Sequence, residues 1–214
     1  VDCAIGGSVI STGQRCTCSD RVLVHRSLAD RLVDGLREVL GRLSFGDPED
    51  AGSFAGPLAT MGARDRFVKA IAQAREAGAE VLVEGGPRDG GAFVDPSLHR
   101  LPDGAAAIAG YTDEELFGPV ASFIPVADED EAVEVANSSR FGLGGGIFCA
   151  DEDRAIRIAK HRLDTGMVNI NGYSNAKVNV PFGGVKDSGY GREHDEYGFL
   201  EFVNIKAITV HEEK

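Results

Sequence analysis

A chain of 214 residues with 43% hydrophobic and 26% charged side chains has the make-up of a soluble globular protein and is long enough to bury a sizeable core. Its formal net charge of −12 argues against a nucleic-acid surface, which clusters basic residues, and against docking on anionic membranes. No apolar run approaches the roughly 20 residues of a membrane span, and no secretory pattern opens the chain.

Residues 2–12 read as the end of a helix weakened by Gly6-Gly7. The turn at Gly13 then delivers Gln14-Arg15-Cys16-Thr17-Cys18. A thiol next to a basic residue on a tight loop favours the thiolate, which makes Cys16 a candidate nucleophile; the alternative is a buried structural cysteine. Cys18, two residues on, is either a redox partner that would block Cys16 in a strained ring or a packing residue. With Cys3 and Cys149 the cysteines number four, too few for a disulfide framework at this length, so a cytoplasmic location is expected. The five histidines are scattered and no Cys-x-x-Cys occurs, so no metal is expected.

The β-branched run 21–25 predicts a buried strand. Ser27 and Asp30 resemble a capping box ahead of an amphipathic helix whose apolar face is Leu28, Leu32, Val33, Leu36, Val39, Leu40 and Leu43. Phe45-Gly46-Asp47-Pro48 ends it. After a loop with Gly56-Pro57-Leu58, a second helix is expected over 61–77, closed by Gly78. A strand at 80–84, a turn at Gly85-Gly86 and an edge or irregular strand at 93–96 follow. Next come a strand at 123–126, a helix over 129–136, a strand at 144–149 and a helix capped by Asp151 and reaching about residue 162. Strand 166–171 carries Asn169 and Asn171, candidates to pin a loop. A glycine-rich loop spans 181–191, and 199–210 alternates enough to predict a final strand. Strands alternating with helices predict an α/β fold, a mostly parallel sheet flanked by helices, in one domain.

Two further stretches carry chemistry. In Glu115-Leu116-Phe117-Gly118-Pro119 a carboxylate suited to ribose hydroxyls precedes a ring suited to a flat heterocycle; the alternative is a solvated acidic turn with a core Phe. The stretch 181–193 is rich in glycines that allow close backbone approach. It matches neither phosphate-loop pattern, and Lys186 stands where a nucleophile elbow around Ser188 would need glycine.

Gly-Gln-x-Cys at 13–16, Glu-x-Phe-Gly-Pro at 115–119, Asn137-Ser138-Ser139-Arg140-Phe141-Gly142-Leu143, and Pro-Phe-Gly-Gly-x-Lys-x-Ser-Gly-x-Gly-Arg-Glu at 181–193 occur in that order. With them the chain resembles the catalytic, C-terminal part of an NAD(P)-dependent aldehyde dehydrogenase over essentially its whole length. The resemblance implies that Cys16 attacks an aldehyde, passes a hydride to nicotinamide from a thiohemiacetal, and is freed from the thioester by water, with its own N–H as one oxyanion donor. It implies NAD or NADP as cofactor, with Glu115 on the nicotinamide-side ribose and Phe117 beside it. It also implies that Phe182 walls the substrate tunnel and that Arg15 and Thr17 shape the pocket. Arg15 suits an anionic semialdehyde; its alternative is packing or pairing with a surface acid. A homo-oligomer is implied, with 199–210 at the interface. Residues 1–214 would form the catalytic domain. The family's dinucleotide-binding domain, general-base glutamate and oxyanion asparagine are expected to precede Val1, so this polypeptide alone is expected not to be a competent dehydrogenase. Two rival expectations are a Cys16-dependent esterase or acyl transferase, and a truncated interaction domain without catalysis.

Overall fold

The structure, a computed structural model, describes residues 2–104 and 108–212. The elements are α1 (Asp2–Val9), β1 (Arg21–His25), α2 (Ala29–Leu40), α3 (Met61–Glu76), β2 (Glu80–Val83), β3 (Gly86–Pro87), β4 (Val94–Asp95), β5 (Ser97–Arg100), β6 (Val120–Val126), α4 (Glu129–Asn137), β7 (Phe141–Gly142), β8 (Gly144–Ile147), α5 (Glu152–His161), β9 (Met167–Ile170), β10 (Val185–Lys186) and α6 (Asp195–Leu200), with 3-10 turns at Ile10–Gly13 and Arg26–Leu28.

The main sheet runs β1-β6-β5-β2, with β1/β6 and β6/β5 parallel and β5/β2 antiparallel. A second parallel pair, β8/β9, and two short antiparallel pairs, β3/β4 and β7/β10, complete the pairing. This is the expected α/β architecture with a mostly parallel sheet.

Strand β6 is buried along its whole length, and its alternation feeds two cores. Val120 and Ile124 pack with Phe67, Ala70, Ile71 and Ala74 of α3. Ala121 and Phe123 pack on the other face with Ile5 and Val9 of α1 and with Val33, Leu36 and Leu40 of α2. Helices therefore cover both faces of the sheet. Pro125 is tolerated in β6 because β5 ends opposite Phe123, leaving β1 as the only strand alongside.

Where sequence rules are local, the elements form as expected. Thr60 Oγ1 accepts from Ala63 N–H (3.1 Å) to start α3, and Gly78 follows its end at φ 93°. Asp128 and Asp151 cap α4 and α5 through the N–H groups of Glu131 and Arg154.

One expected helix forms in full and two expectations are corrected. Helix α1 runs through Gly6 and Gly7, and a Cβ at Gly7 would crowd Ser19 and Tyr173, so this glycine serves packing. No Ser27 capping box forms: His25 Nδ1 accepts from Ser27 N–H instead (3.3 Å), and Leu28 is left exposed. The strand expected at 199–210 is absent. Residues to Leu200 belong to α6, and beyond the turn that follows it the described tail has no regular structure. Its alternation suits a strand, but it pairs with no described strand, and strand hydrogen bonds need a partner.

Candidate active site

The loop bearing Cys16 is closed at its base. Ser19 N–H donates to Gly7 O (2.6 Å) and Ser8 Oγ donates to Ser19 O (3.0 Å), so the chain returns to α1 after eleven residues of excursion. Ser11, Thr12 and Gly13 follow one another in the left-handed region, at φ 52°, 58° and 70°. Two of them carry a Cβ that disfavours this conformation, and such strain persists only where the surroundings enforce it. They do so here: buried Thr12 donates to Gly56 O (2.9 Å), and Gln14 Oε1 accepts from Ala59 N–H (2.7 Å). A Cβ on Gly13 would collide with the carbonyl of Gly118, and one on Gly118 with the Phe67 ring. Gly13 thus lets the Cys16 loop and the turn 115–119 meet backbone to backbone, and Gly118 lets that turn sit against Phe67.

Cys16 lies at the exposed end of this loop as a free thiol, and its backbone N–H donates to no group among the described residues. Thr17 is half-buried inside the turn closed by Cys18 N–H to Arg15 O (2.9 Å). The Cys18 thiol is half-buried and points at Ile10 O (3.8 Å); burial pushes its pKa up, which disfavours its thiolate. Arg15 Nη2 donates to Asn175 Oδ1 (3.0 Å), and no described carboxylate lies within ion-pair distance of it.

Glu115 is exposed, yet its carboxyl is partly desolvated by neighbouring protein, which raises its pKa. Part of Asp20 reaches solvent too, but its carboxyl is crowded. Burial first, then the nearby Glu115 charge, pushes it up to about 7, against the pull of Arg21. Phe117 holds φ 47° with its ring exposed. The exposed ring thus lies two residues from the Glu115 carboxylate.

Phe182 is half-buried, paired to Glu193 through both backbone bonds (2.8 and 2.6 Å) and in contact with the His194 ring (5.7 Å between centroids). His194 Nδ1 and Asp195 N–H in turn hold the carbonyls of Lys177 and Val178, in the segment that begins with Asn175. Arg15 and, by way of His194, Phe182 are therefore both linked to the segment 175–178.

All four motifs converge. Val185 pairs with Gly142, and Lys186 Nζ donates to Asn137 O (2.8 Å) and Ser139 O (3.1 Å). Arg140 stacks on Phe141 (4.7 Å) and reaches both Glu114 (3.6 Å) and Asp187 (3.8 Å). Of the two strand asparagines, Asn171 accepts from Cys149 N–H (3.0 Å), while Asn169 stays in the β8/β9 ladder. Thr12 and Asn175, residues without a chemical signature of their own, escaped the sequence reading. Gln14 carried a signal only as part of a motif.

A sequence profile described as the aldehyde dehydrogenase family matches residues 1–208. The chain is 43% identical over 209 residues to a succinate-semialdehyde dehydrogenase [NADP(+)] of Deinococcus radiodurans, covering 97% of this chain and 43% of that protein. It is 38% identical to a benzaldehyde dehydrogenase of Bacillus subtilis, covering 100% of this chain and 43% of that one. Its fold matches a betaine aldehyde dehydrogenase of Staphylococcus aureus, solved with NAD+, at a TM-score of 0.87 and 31% identity, covering 94% of this chain and 40% of that one. The chain thus spans less than half the length of the relatives it matches. On four motifs drawn to one place, and on this likeness in sequence and fold, the chain belongs to the aldehyde dehydrogenase family.

Proposed function

We propose that this chain supplies the nucleophile and the ribose-side cofactor contacts of an enzyme that oxidises a carboxylate-bearing aldehyde to its acid with NAD or NADP. The observation that carries the reading is the exposed Cys16 thiol, with its free N–H, on a loop pressed against the turn of Glu115 and Phe117. The Cys16 thiolate attacks the aldehyde carbon; a C–S bond forms, the carbonyl electron pair moves to oxygen, and Cys16 N–H donates to the oxyanion. Glu115 accepts the ribose hydroxyls and Phe117 stands beside them. A bound nicotinamide dinucleotide supplies the hydride acceptor. Water then releases the acid from Cys16 and restores the thiol.

Arg15 carries the substrate class. It is a guanidinium one residue from the nucleophile, braced by Asn175 and without a described carboxylate partner, in a chain of net charge −12. Guanidinium binds carboxylate through paired charge-assisted bonds. Thr17 and Phe182 complete the pocket. The likeness to a succinate-semialdehyde dehydrogenase supports the same class.

The test is reduction of NAD and NADP by the holoenzyme with succinic semialdehyde and with butanal. Cys16→Ala is expected to abolish both activities. Arg15→Ala is expected to raise KM for the acidic substrate by about tenfold or more and to leave butanal within about twofold. Equal effects on the two substrates refute the pairing, and turnover without Cys16 refutes the nucleophile.

We further propose a cytoplasmic homo-oligomer, with 199–210 in the contact between subunits. The free thiols fit a reducing compartment, and no described helix is long and apolar enough to cross a membrane. The tail exposes Phe202 (90%), Ile205 (84%), Ile208 (83%) and Val210 (85%), side chains that normally find cover.

A further inference from the structure

The loop that leaves Ile108 and enters β6 at Val120 carries Glu115 and Phe117. It braces itself locally: Ile108 N–H donates to Thr112 Oγ1 (2.8 Å), Tyr111 and Thr112 N–H to Ile108 O (3.0 Å each), and Gly110 N–H to Asp113 Oδ1 (2.7 Å). Local bonds shape a loop but do not fix it to a sheet. The fixing is done by Tyr111, 1% exposed, whose hydroxyl lies 2.8 Å from His99 Nδ1 and 2.6 Å from Ser122 Oγ. His99 and Ser122 sit opposite each other on the parallel strands β5 and β6, and both are buried.

This triad is costly as mere filling. The second nitrogen of His99, Nε2, is buried without a partner, as is Ser97 Oγ two residues before it on the strand. An apolar trio would fill the space with no unpaired group, whereas a hydrogen-bonded one specifies a single position for the loop. The loop needs such a restraint. Phe117 holds a left-handed backbone, and the charges of Glu115 and Asp20 repel one another. The far end is fixed by the Gly13–Gly118 approach, and Tyr111 is four residues before Glu115 at the near end.

We propose that Tyr111, held by His99 and Ser122, is a positioning residue that sets the Glu115–Phe117 turn for the cofactor ribose. The proposal rests on the reading of Glu115 as the ribose acceptor. Tyr111 touches neither cofactor nor substrate and acts through the loop.

The experiment uses the holoenzyme and the variants Tyr111→Phe, Ser122→Ala, Glu115→Ala and the Tyr111→Phe/Glu115→Ala pair. It reads the cofactor Kd by titration calorimetry, amide exchange over 108–118 without cofactor, and KM for the aldehyde. Tyr111→Phe is expected to raise Kd by about tenfold, speed exchange across the loop and leave the aldehyde KM within about twofold. Ser122→Ala, which keeps the His99 bond, is expected to do less of the same and carries the test if Tyr111→Phe does not fold. In the Glu115→Ala background, Tyr111→Phe is expected to add nothing to Kd. A Tyr111→Phe variant that melts earlier but binds cofactor as before, while Glu115→Ala weakens it, overturns the proposal alone. Independent multiplication of the two effects does so too. A Glu115→Ala variant with unchanged Kd overturns the ribose reading and this proposal with it.

Discussion

His99 is fully buried and neutral, and burial, helped by the nearby Arg75 charge, lowers its pKa to about 4 from the usual 6.5, against the pull of Glu84. The unfolded chain therefore binds this proton between pH 6.5 and about 4 while the folded one does not, so stability is full above that window and falls as the pH drops through it. The loss at pH 5 relative to pH 7 is expected to be about 2 kcal/mol in urea unfolding. His99→Leu, whatever its own cost, is expected to flatten that part of the slope; an unchanged slope would assign it to other groups. At the same scale, Cys16 and Arg15 could be singled out as candidates because a thiol and a guanidinium announce their chemistry. Tyr111 and His99 were not, since a tyrosine and a histidine in apolar surroundings have nothing local to tell a network from packing.

Among the elements, the loops carry more of the site than the helices. Thr60→Ala removes one cap from α3 and is expected to cost about 1 kcal/mol without altering the alkylation rate of Cys16. Gly118→Ala is expected to cost about 1–3 kcal/mol or more, because the new methyl meets the Phe67 ring in the core, and to change that rate, because the Cys16 loop rests on the same backbone. A Gly118→Ala protein with normal stability and thiol reactivity would show that the two loops are positioned separately. Helices α3, α4 and α5 were legible to within a residue or two, since caps and helical periodicity are local. The Ser27 box failed because the preceding strand brings His25 to the same amide. Helix α1 was read too weakly because one reason for Gly7, the close approach of Tyr173, lies far along the chain.

At the scale of the molecule, the described tail after α6 is unlike the rest. It offers alternating apolar side chains to solvent and packs on none of the buried clusters. Removing residues 203–214 from the holoenzyme is expected to reduce the assembly to smaller species in light scattering while leaving the melting of the main sheet within a few degrees. An unchanged mass would sink the proposed role of the tail in the subunit contact.

Helices α2 to α5, strands β1, β2, β8 and β9, the α/β class and the four motifs followed from the residues alone, because periodicity, capping and motif chemistry act within a few positions. The meeting of those motifs did not. Gly13 against Gly118, Arg15 on Asn175, Lys186 under Asn137 and Tyr111 between His99 and Ser122 join residues as far as 160 positions apart. Such contacts exist only once the sheet has folded and drawn the loops to one place. The tail was misread for the same physical reason: its alternation is a local property, but a strand forms only by pairing with another, and the described tail pairs with none.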